Sequence, residues 1–476
     1  MDIEPDRAPD GPLPPPTPAS SVPADLLARL LAKPPLALPP PRPHDATPLL
    51  AEPAVPTTEA STPGAPSTTM PSTVAPAEAA PDDDAMTPEW LRRRLVEQLR
   101  TQGALHDAAV ERALLTVPRH LFLPDSPLTE AYADIAVATH WEDGMAVSSA
   151  SQPAIVAFML EQSQVAPGMR VLEIGAGTGY NAALLSELVG PTGSVTTIDI
   201  DPQITAEASA HLAAAGYTAA HVVTGDGAVG WPLGAPYDRI ELTVGASDIA
   251  PAWFEQLAEG GVLTLPLWLG ASDVSVALRK QDGALVSESL TPCGFMRLRG
   301  QEGDAEKWAT LAGYGRLGGA HARELAGNVA ALLATPARRR FWRRPDYAAM
   351  QALALRYDGF VTLWTERPPQ AREGRRAATV RRLRMRFGVY AEGVDGPSLA
   401  LFGSLFPLLL VFGGEEAERL LEAEADRWRD HHPTPVEQWR VIARPLWPSA
   451  LGAADETLPE GTTRLTRRHF AFEVAL

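Results

Sequence analysis

The sequence predicts an α/β protein: a largely parallel sheet covered by helices on both faces, joined to a C-terminal α+β unit and preceded by a tail that does not fold. Between about Gly168 and residue 295, short apolar runs alternate with stretches of helical spacing. Parallel strands buried on both faces read as such continuous runs. One run, residues 171–174, passes through Gly175-Ala176-Gly177-Thr178-Gly179 into Tyr180, the pattern of a strand, a tight glycine turn and a helix start. Residues 1–86 hold nearly half of the chain's 46 prolines, and the rest is mostly Ala, Ser, Thr and Asp. Such a composition buries too little apolar surface to offset its ordering entropy, so disorder is expected there.

The bulk properties narrow the class. A chain of 476 residues has room for two or three domains, and 45% hydrophobic content suffices for real cores. With 58 acidic against 41 basic residues and a formal charge of −17, general nucleic-acid or anionic-membrane binding is not expected. One cysteine, Cys293, excludes an internal disulfide and fits a reducing cytoplasm. No basic-then-apolar signal opens the sequence. The longest apolar run, residues 399–412, is interrupted by Gly403, Ser404 and Pro407. It is shorter than the roughly 20 residues a membrane helix needs and is expected to be buried core.

Element by element, the tail offers only residues 24–31 as a short amphipathic helix. Order is expected from Thr87-Pro88-Glu89, since threonine is a good N-cap and proline suits the first helical position. Leu91, Leu95 and Leu99 then recur at helical spacing. A second helix is expected over 106–115, ending at Val117-Pro118. Strands follow at 170–174, 194–199, 219–224, 237–244 and 261–268, with helices at 179–189, 202–215 and 250–258. Two further strands, at 273–280 and 285–291, would bring the sheet to seven and close the domain (87–295). Residues 296–476 form the C-terminal unit, with helices at 320–334, 347–357 and 415–431. Its strand at 384–389 has Met385, Phe387 and Val389 on one face.

The glycine turn admits close approach of a nucleoside-type ligand, because glycine has no Cβ and accepts positive φ. Its companions say which one. Glu173 stands two residues before Gly175, Asp199 ends the next strand beside Ile200, and Gly225-Asp226-Gly227 follows the third. Asp199 can accept both ribose hydroxyls, and Asp226 with its neighbouring amide suits an adenine edge. One acid at the end of each of three successive strands is the pattern of an S-adenosyl-L-methionine site on a Rossmann-like, class I methyltransferase sheet. A dinucleotide fingerprint would want a third glycine where this chain has Tyr180.

Other segments are more specific. Ser149-Ala150-Ser151-Gln152-Pro153, Val117-Pro118-Arg119 with Phe122 and Pro124, Ala131-Tyr132 with Asp134, Gly225-Asp226-Gly227 with Gly230-Trp231, and 235–240 together resemble the protein-L-isoaspartate O-methyltransferase family over roughly residues 90–298. The resemblance implies a catalytic role for Ser151. It also implies cofactor contacts from Ser148, Ser149, Ala150, Ser151, Glu173, Gly175, Gly177, Thr178, Asp199, Ile200, Asp226 and Gly227, with 148–150 as a loop over the cofactor. Two departures stand out: Ser149-Ala150 replaces the usual Thr-Ile, and Arg297-Leu298-Arg299 stands where the family has a short C-terminal strand. The extra C-terminal unit is similar to extensions on members that tailor ribosomally made peptides (lanthipeptide, lasso-peptide and ATP-grasp, or graspetide, pathways).

The function implied is carboxyl O-methylation of an Asp or isoAsp side chain in a peptide or protein, foremost a modified precursor peptide, leading to aspartimide or isoaspartate. General isoaspartate repair and small-molecule methylation are the alternatives. Ser151 could also cap the helix beginning at Pro153. Arg338, Arg339, Arg340, Arg343 and Arg344, and Arg375, Arg376, Arg381, Arg382, Arg384 and Arg386, read either as a solvated face paired to acids or as a dock for an acidic peptide. His120 and His140 read as packing or surface residues. No His/Cys cluster has metal-ligand spacing, so no metal is expected.

Overall fold

The computed structural model describes residues 86–142, 145–303, 308–342, 345–365, 384–403, 408–447, 458 and 461–476. Of the expected tail (1–86) all but Met86 lies outside them, as do the helix at 24–31 and Arg343, Arg344, Arg375, Arg376, Arg381 and Arg382.

Helix α1 (Pro88–Thr101) starts as its sequence dictates: the Thr87 hydroxyl accepts from the Trp90 amide and proline occupies the first turn. Its Leu91, Leu95, Val96 and Leu99 are buried. Helix α2 (Ala108–Thr116) is capped by Asp107. The chain then forms an antiparallel hairpin, β1 (Val137–Glu142) and β2 (Met145–Ala150), where the sequence suggested only a loop. It leads through Ser151 and Gln152 into α3 (Pro153–Ser163).

The alternating region follows: β3 (Arg170–Ile174), α4 (Tyr180–Val189), β4 (Ser194–Asp199), α5 (Pro202–Ala214), β5 (His221–Thr224), β6 (Tyr237–Leu242), α6 (Pro251–Gln256), β7 (Leu257–Trp268), β8 (Asp273–Gln281) and β9 (Ala284–Pro292). Helix α6 is shorter than expected, because β7 takes over at Leu257. The C-terminal region adds β10 (Trp308–Leu311), β11 (Gly315–Gly318), α7 (Ala322–Leu333), β12 (Arg338–Phe341), α8 (Tyr347–Arg356), β13 (Phe360–Thr365), β14 (Arg384–Gly393), β15 (Gly396–Gly403), β16 (Leu408–Gly413), α9 (Glu416–Asp430), β17 (Arg440–Pro445), β18 (Thr462–Thr466) and β19 (Phe470–Ala475).

The seven expected strands are present, but the sheet does not stop at seven. Its order is β18-β19-β17-β9-β8-β7-β6-β3-β4-β5, parallel from β7 through β5 and antiparallel from β7 through β18. Three strands from the end of the chain extend it, β17 pairing with β9 through Ile442↔Val286 and Ala443↔Leu285. A strand edge left at β9 would expose unpaired backbone groups, and this addition covers it.

Burial alternates across the sheet. Leu172, Ile174, Ile240, Leu242, Leu263 and Leu265 face one core, which also holds Trp439, Val441, Phe470 and Phe472 from the chain's end. Val171 and Val195 face a second core with α1, α2 and α4. A separate seven-stranded sheet, ordered β10-β11-β13-β14-β15-β16-β12, builds the rest of the C-terminal unit. Helix α8 joins the two bodies: Ala348, Ala352 and Leu355 pack into the first core, and Ala349, Met350 and Leu353 pack against the second sheet.

The interrupted apolar run enters β15 and β16 and is buried at Leu399, Leu401, Phe402, Leu409 and Val411. The two-residue turn Val394-Asp395 joins β14 to β15. On β14, Phe387 and Val389 share the core that Met385 abuts, while Tyr390 faces the opposite core.

Candidate active site

In an open α/β sheet the ligand crevice forms at the carboxyl ends of the strands, where the strand order reverses. Here the chain runs β3, β4, β5 to one side and returns to β6 and β7 on the other, so the reversal lies at β3. The glycine turn follows β3 directly. Gly175 has φ +103°, and a Cβ there would stand 2.5 Å from Thr243 Oγ1. The Gly175 carbonyl accepts from that hydroxyl at 2.6 Å. The turn is therefore pinned to the end of β6 in a shape that needs glycine.

Above the turn lies a cleft of about 2080 Å³. Ser148, Ser149, Ala150, Ser151, Glu173, Gly175, Gly177, Thr178, Asp199, Ile200 and Gly227 all line it. The residues expected as a covering loop are the end of strand β2, which passes over the turn: a Cβ on Gly177 would come within 3.6 Å of the Ser149 carbonyl. Exposed Ile135 and Trp141 flank the same cleft.

Asp199 Oδ2 accepts from the Gly177 amide at 3.3 Å and Oδ1 from the Asp201 amide at 3.2 Å. Arg299 reaches the same carboxylate at 3.5 Å, with Glu142 at 3.3 Å and Asp201 at 3.7 Å. Asp226 departs from expectation. It does not line the cleft, because Gly300 lies against its carboxylate. Its Oδ1 accepts from the Ala228 amide and its Oδ2 from the Gln301 amide. The arginine-bearing segment 297–303 thus covers the acids of the second and third strand ends.

Beneath the turn sits a buried acidic pair. Glu173 and Glu241 are register partners on β3 and β6, both essentially inaccessible. The Asn181 amide donates to both, at 2.9 and 3.0 Å, and Ser163 donates to Glu241 at 2.5 Å. Burial pushes the Glu173 carboxyl up to about 8, with the nearby Thr197 hydroxyl and Asn181 opposing the shift and Glu241 and Asp199 adding to it. Burial raises Glu241 as well. Glu173 Oε2 has no protein partner.

Ser151 does not cap the following helix. Gln152 holds the N-cap position without a side-chain cap bond. Instead Asp134 Oδ1 accepts from the Ala154 amide at 2.9 Å, and its Oδ2 accepts from the Gln152 side chain at 3.1 Å. From the other side, buried Arg119 donates to the Ser151 carbonyl at 2.9 Å and to the Ala131 carbonyl at 2.9 Å, with its guanidinium 4.7 Å from the Tyr180 ring. Arg119 thus holds the Ser151 carbonyl, Asp134 holds the Gln152 side chain and the Ala154 amide, and Ser151 lines the cleft between them.

The sequence showed Arg119 and Asp134 as part of a motif but not what they do. It missed Glu241, although an acid in the apolar strand 237–242 was a visible signal. His120 bonds Tyr132 at 2.8 Å and His140 pairs with Glu207 at 3.1 Å; neither lines the cleft. The arginines of β12 behave as a solvated face: Arg338 pairs with Glu415, just before α9, and Arg338 and Arg340 both pair with Glu418 within it. Among the described residues, no group of three or more His, Cys, Asp or Glu could hold a metal, and no helix is long and apolar enough to cross a membrane.

The arrangement fits S-adenosyl-L-methionine. A glycine cradle stands at the strand-order reversal, Asp199 lies at the second strand end, and a buried Glu173 oxygen is left without a protein partner at the first.

Comparison with known proteins agrees. Residues 91–303 match the family model described as "Protein-L-isoaspartate(D-aspartate) O-methyltransferase (PCMT)". The chain is similar to the protein-L-isoaspartate O-methyltransferase of Hyperthermus butylicus, 39% identical over 47% of this chain and 97% of the relative. It is equally similar to the one from Koribacter versatilis, 39% identical over 44% of this chain and 92% of the relative. A solved structure of a protein-L-isoaspartate O-methyltransferase, 26% identical, aligns over 74% of this chain and 96% of its own with a TM-score of 0.44. The Hyperthermus and Koribacter enzymes are matched over nearly their whole length, whereas more than half of this chain lies outside those two matches. The chain belongs to the protein-L-isoaspartate O-methyltransferase family and is an S-adenosylmethionine-dependent O-methyltransferase.

Proposed function

We propose that the enzyme methyl-esterifies the free carboxylate of isoaspartyl residues in proteins and peptides, as a repair activity. The observation that carries this is the joining of the glycine turn, Glu173, Asp199 and the Ser151 segment in one cleft, in a chain 39% identical over 44–47% of its length to named isoaspartyl methyltransferases. S-adenosyl-L-methionine, when bound, supplies an electrophilic methyl group. Glu173, Asp199 and the 148–150 strand would hold it, and Asp226 would join them once Gly300 and Gln301 move aside.

An acceptor carboxylate is already ionised at neutral pH, so the protein's task is to orient and partly desolvate it. The Ser151 hydroxyl can donate to one carboxylate oxygen and leave the other free to attack. Arg119 and Asp134 fix the backbone that carries this hydroxyl. In the resulting ester, methoxide can leave the carbonyl carbon, which oxide cannot do from a carboxylate. The following backbone amide nitrogen attacks that carbon, the C–OCH3 bond breaks, and methanol departs with the amide proton; hydrolysis of the succinimide so formed returns some normal aspartate.

A second reading is esterification of one aspartate in a modified precursor peptide, with aspartimide as product. It is favoured by the residues from beyond the family-matched segment that line the cleft, Trp308 and Trp364 among them. A single cysteine, which cannot form an internal disulfide, suits a cytoplasmic enzyme in either case.

The test is mass spectrometry of synthetic peptides incubated with enzyme and cofactor. Isoaspartyl peptides of varied sequence should gain a methyl ester, and their aspartyl counterparts should not. Esterification of a single precursor's aspartate alone would replace repair by tailoring. Ser151→Ala should lower kcat by about 10²-fold, as expected for loss of one positioned donor, while cofactor affinity holds. Unchanged turnover would remove Ser151 from the chemistry.

A further inference from the structure

Small-molecule pockets occupy roughly 300–1,000 Å³, and this cleft measures about 2080 Å³. Its far end is built by the C-terminal sheet. Trp308, Arg316, Trp364 and Met385 line it there, opposite Trp268 at the end of β7. All four lie on one face of that sheet, because Trp308 opposes Gly318, Arg316 opposes Trp364, and Trp364 opposes Met385, and directly opposed residues share a face. Leu317 and Leu363, one position along, point the other way into the core under α7.

Most of this face is covered. Phe360, Phe387 and Val389 pack under α8 and α9. The row at Trp308, Arg316, Trp364 and Met385 instead stays half-buried and fronts the cleft. The rings interlock edge to face: Trp268 to Trp308 at 6.0 Å and 68°, Trp308 to Trp364 at 5.9 Å and 81°. Arg297 stacks on Trp268 at 4.2 Å and Arg316 on Trp308 at 5.4 Å. Gly318 supports the arrangement, since a Cβ there would stand 2.7 Å from the Trp308 ring. The indole lies across the bare backbone of its partner strand.

We propose that these tryptophans form an acceptor subsite that takes a bulky apolar or aromatic side chain flanking the target residue of the peptide. The inference rests on the peptide carboxyl-methylation reading and gives that site a sequence preference. Rigid indoles with stacked guanidinium groups are the surfaces on which binding energy concentrates. They are continuous with the cleft that holds Ser151, so a peptide whose target residue lies at Ser151 can run along the same cavity to reach them. Trp308, Arg316, Trp364 and Met385 lie after residue 303, where the family-matched segment ends, and Trp268 lies within it.

The experiment is a panel of isoaspartyl hexapeptides in an alanine background, with one phenylalanine moved through the flanking positions and methylated by the full chain. At least one position should lower KM by about tenfold or more relative to the all-alanine peptide. Trp308→Ala and Trp364→Ala, each checked for a wild-type melting temperature, should collapse that ratio toward one. Trp308→Phe should restore part of it, and Gly318→Val, which displaces the ring without removing it, should also lower it. Equal KM across the panel, or a phenylalanine preference that survives both alanine variants, overturns the subsite while leaving the methylation reading standing. Binding by calorimetry separates the reverse case. A phenylalanine peptide that binds wild type but not Trp308→Ala, with no peptide ever methylated, keeps the subsite and refutes isoaspartyl methylation.

Discussion

At the residue scale, the acids of the site are ranked by their surroundings. Asp199 is only partly buried, accepts backbone amides from the glycine turn and from Asp201, and has Arg299 at 3.5 Å. Asp199→Ala should weaken S-adenosylmethionine binding by on the order of 10–100-fold, the loss of charge-assisted hydrogen bonds; titration calorimetry showing unchanged affinity would remove Asp199 from the site. Glu173 is the opposite case. Its folded-state pKa of about 8 lies above the ordinary 4.5, so the folded protein binds the proton more tightly than the unfolded chain. The stability this confers is fully present below about pH 4.5 and is lost as pH rises through about 8. Glu173→Gln keeps an acceptor for Asn181 and cannot ionise. Its melting temperature should therefore fall less than that of wild type between these pH values. Parallel profiles would mean that Glu173 does not titrate in this range.

At the scale of elements, the Ser151 segment shows how a loop residue is made rigid. It lies between a strand and a helix, and its backbone is held by side chains from elsewhere: Arg119 from a turn after α2 and Asp134 from the turn before β1. Asp134 replaces the N-cap that the helix's own sequence does not supply. Asp134→Ala should cost about 0.5–2 kcal/mol, the range for loss of a cap. It should also lower kcat more than it raises KM for cofactor, because it loosens the serine and not the cradle. A stability loss with unchanged kcat would make Asp134 a cap and nothing more.

At the scale of the molecule, the chain's end completes its middle. Strands β17, β19 and β18 extend the cofactor-binding sheet, and Trp439, Phe470 and Phe472 share its core. The two bodies should therefore unfold together. Trp439→Ala removes a fully buried ring whose indole donates to the Thr434 carbonyl, and should destabilise by about 3–5 kcal/mol. Calorimetry should show one transition at a lower temperature, with cofactor binding lost in the same transition. Two separated transitions would show that the C-terminal unit folds on its own.

Features that depend on near neighbours in the chain are legible in the residue order. The Thr87-Pro88 helix start, the strand–glycine–helix turn at 175–179, the acids Glu173 and Asp199 at strand ends and the alternation from β3 to β9 are local patterns. Their physics (capping, positive φ, periodic burial) acts within a few residues. Features that depend on pairing over long separations emerge only in the folded chain, whose tertiary structure sets them. It placed residues 440–475 on the edge of the first sheet, where the sequence left them in a separate unit. It brought Glu241 beside Glu173, Asp134 to the start of α3, and Gly300 and Gln301 onto Asp226. It also set Trp308 and Trp364 against Trp268, because strand register and the packing of α8 between the sheets, rather than any local propensity, fix which side chains share a cleft.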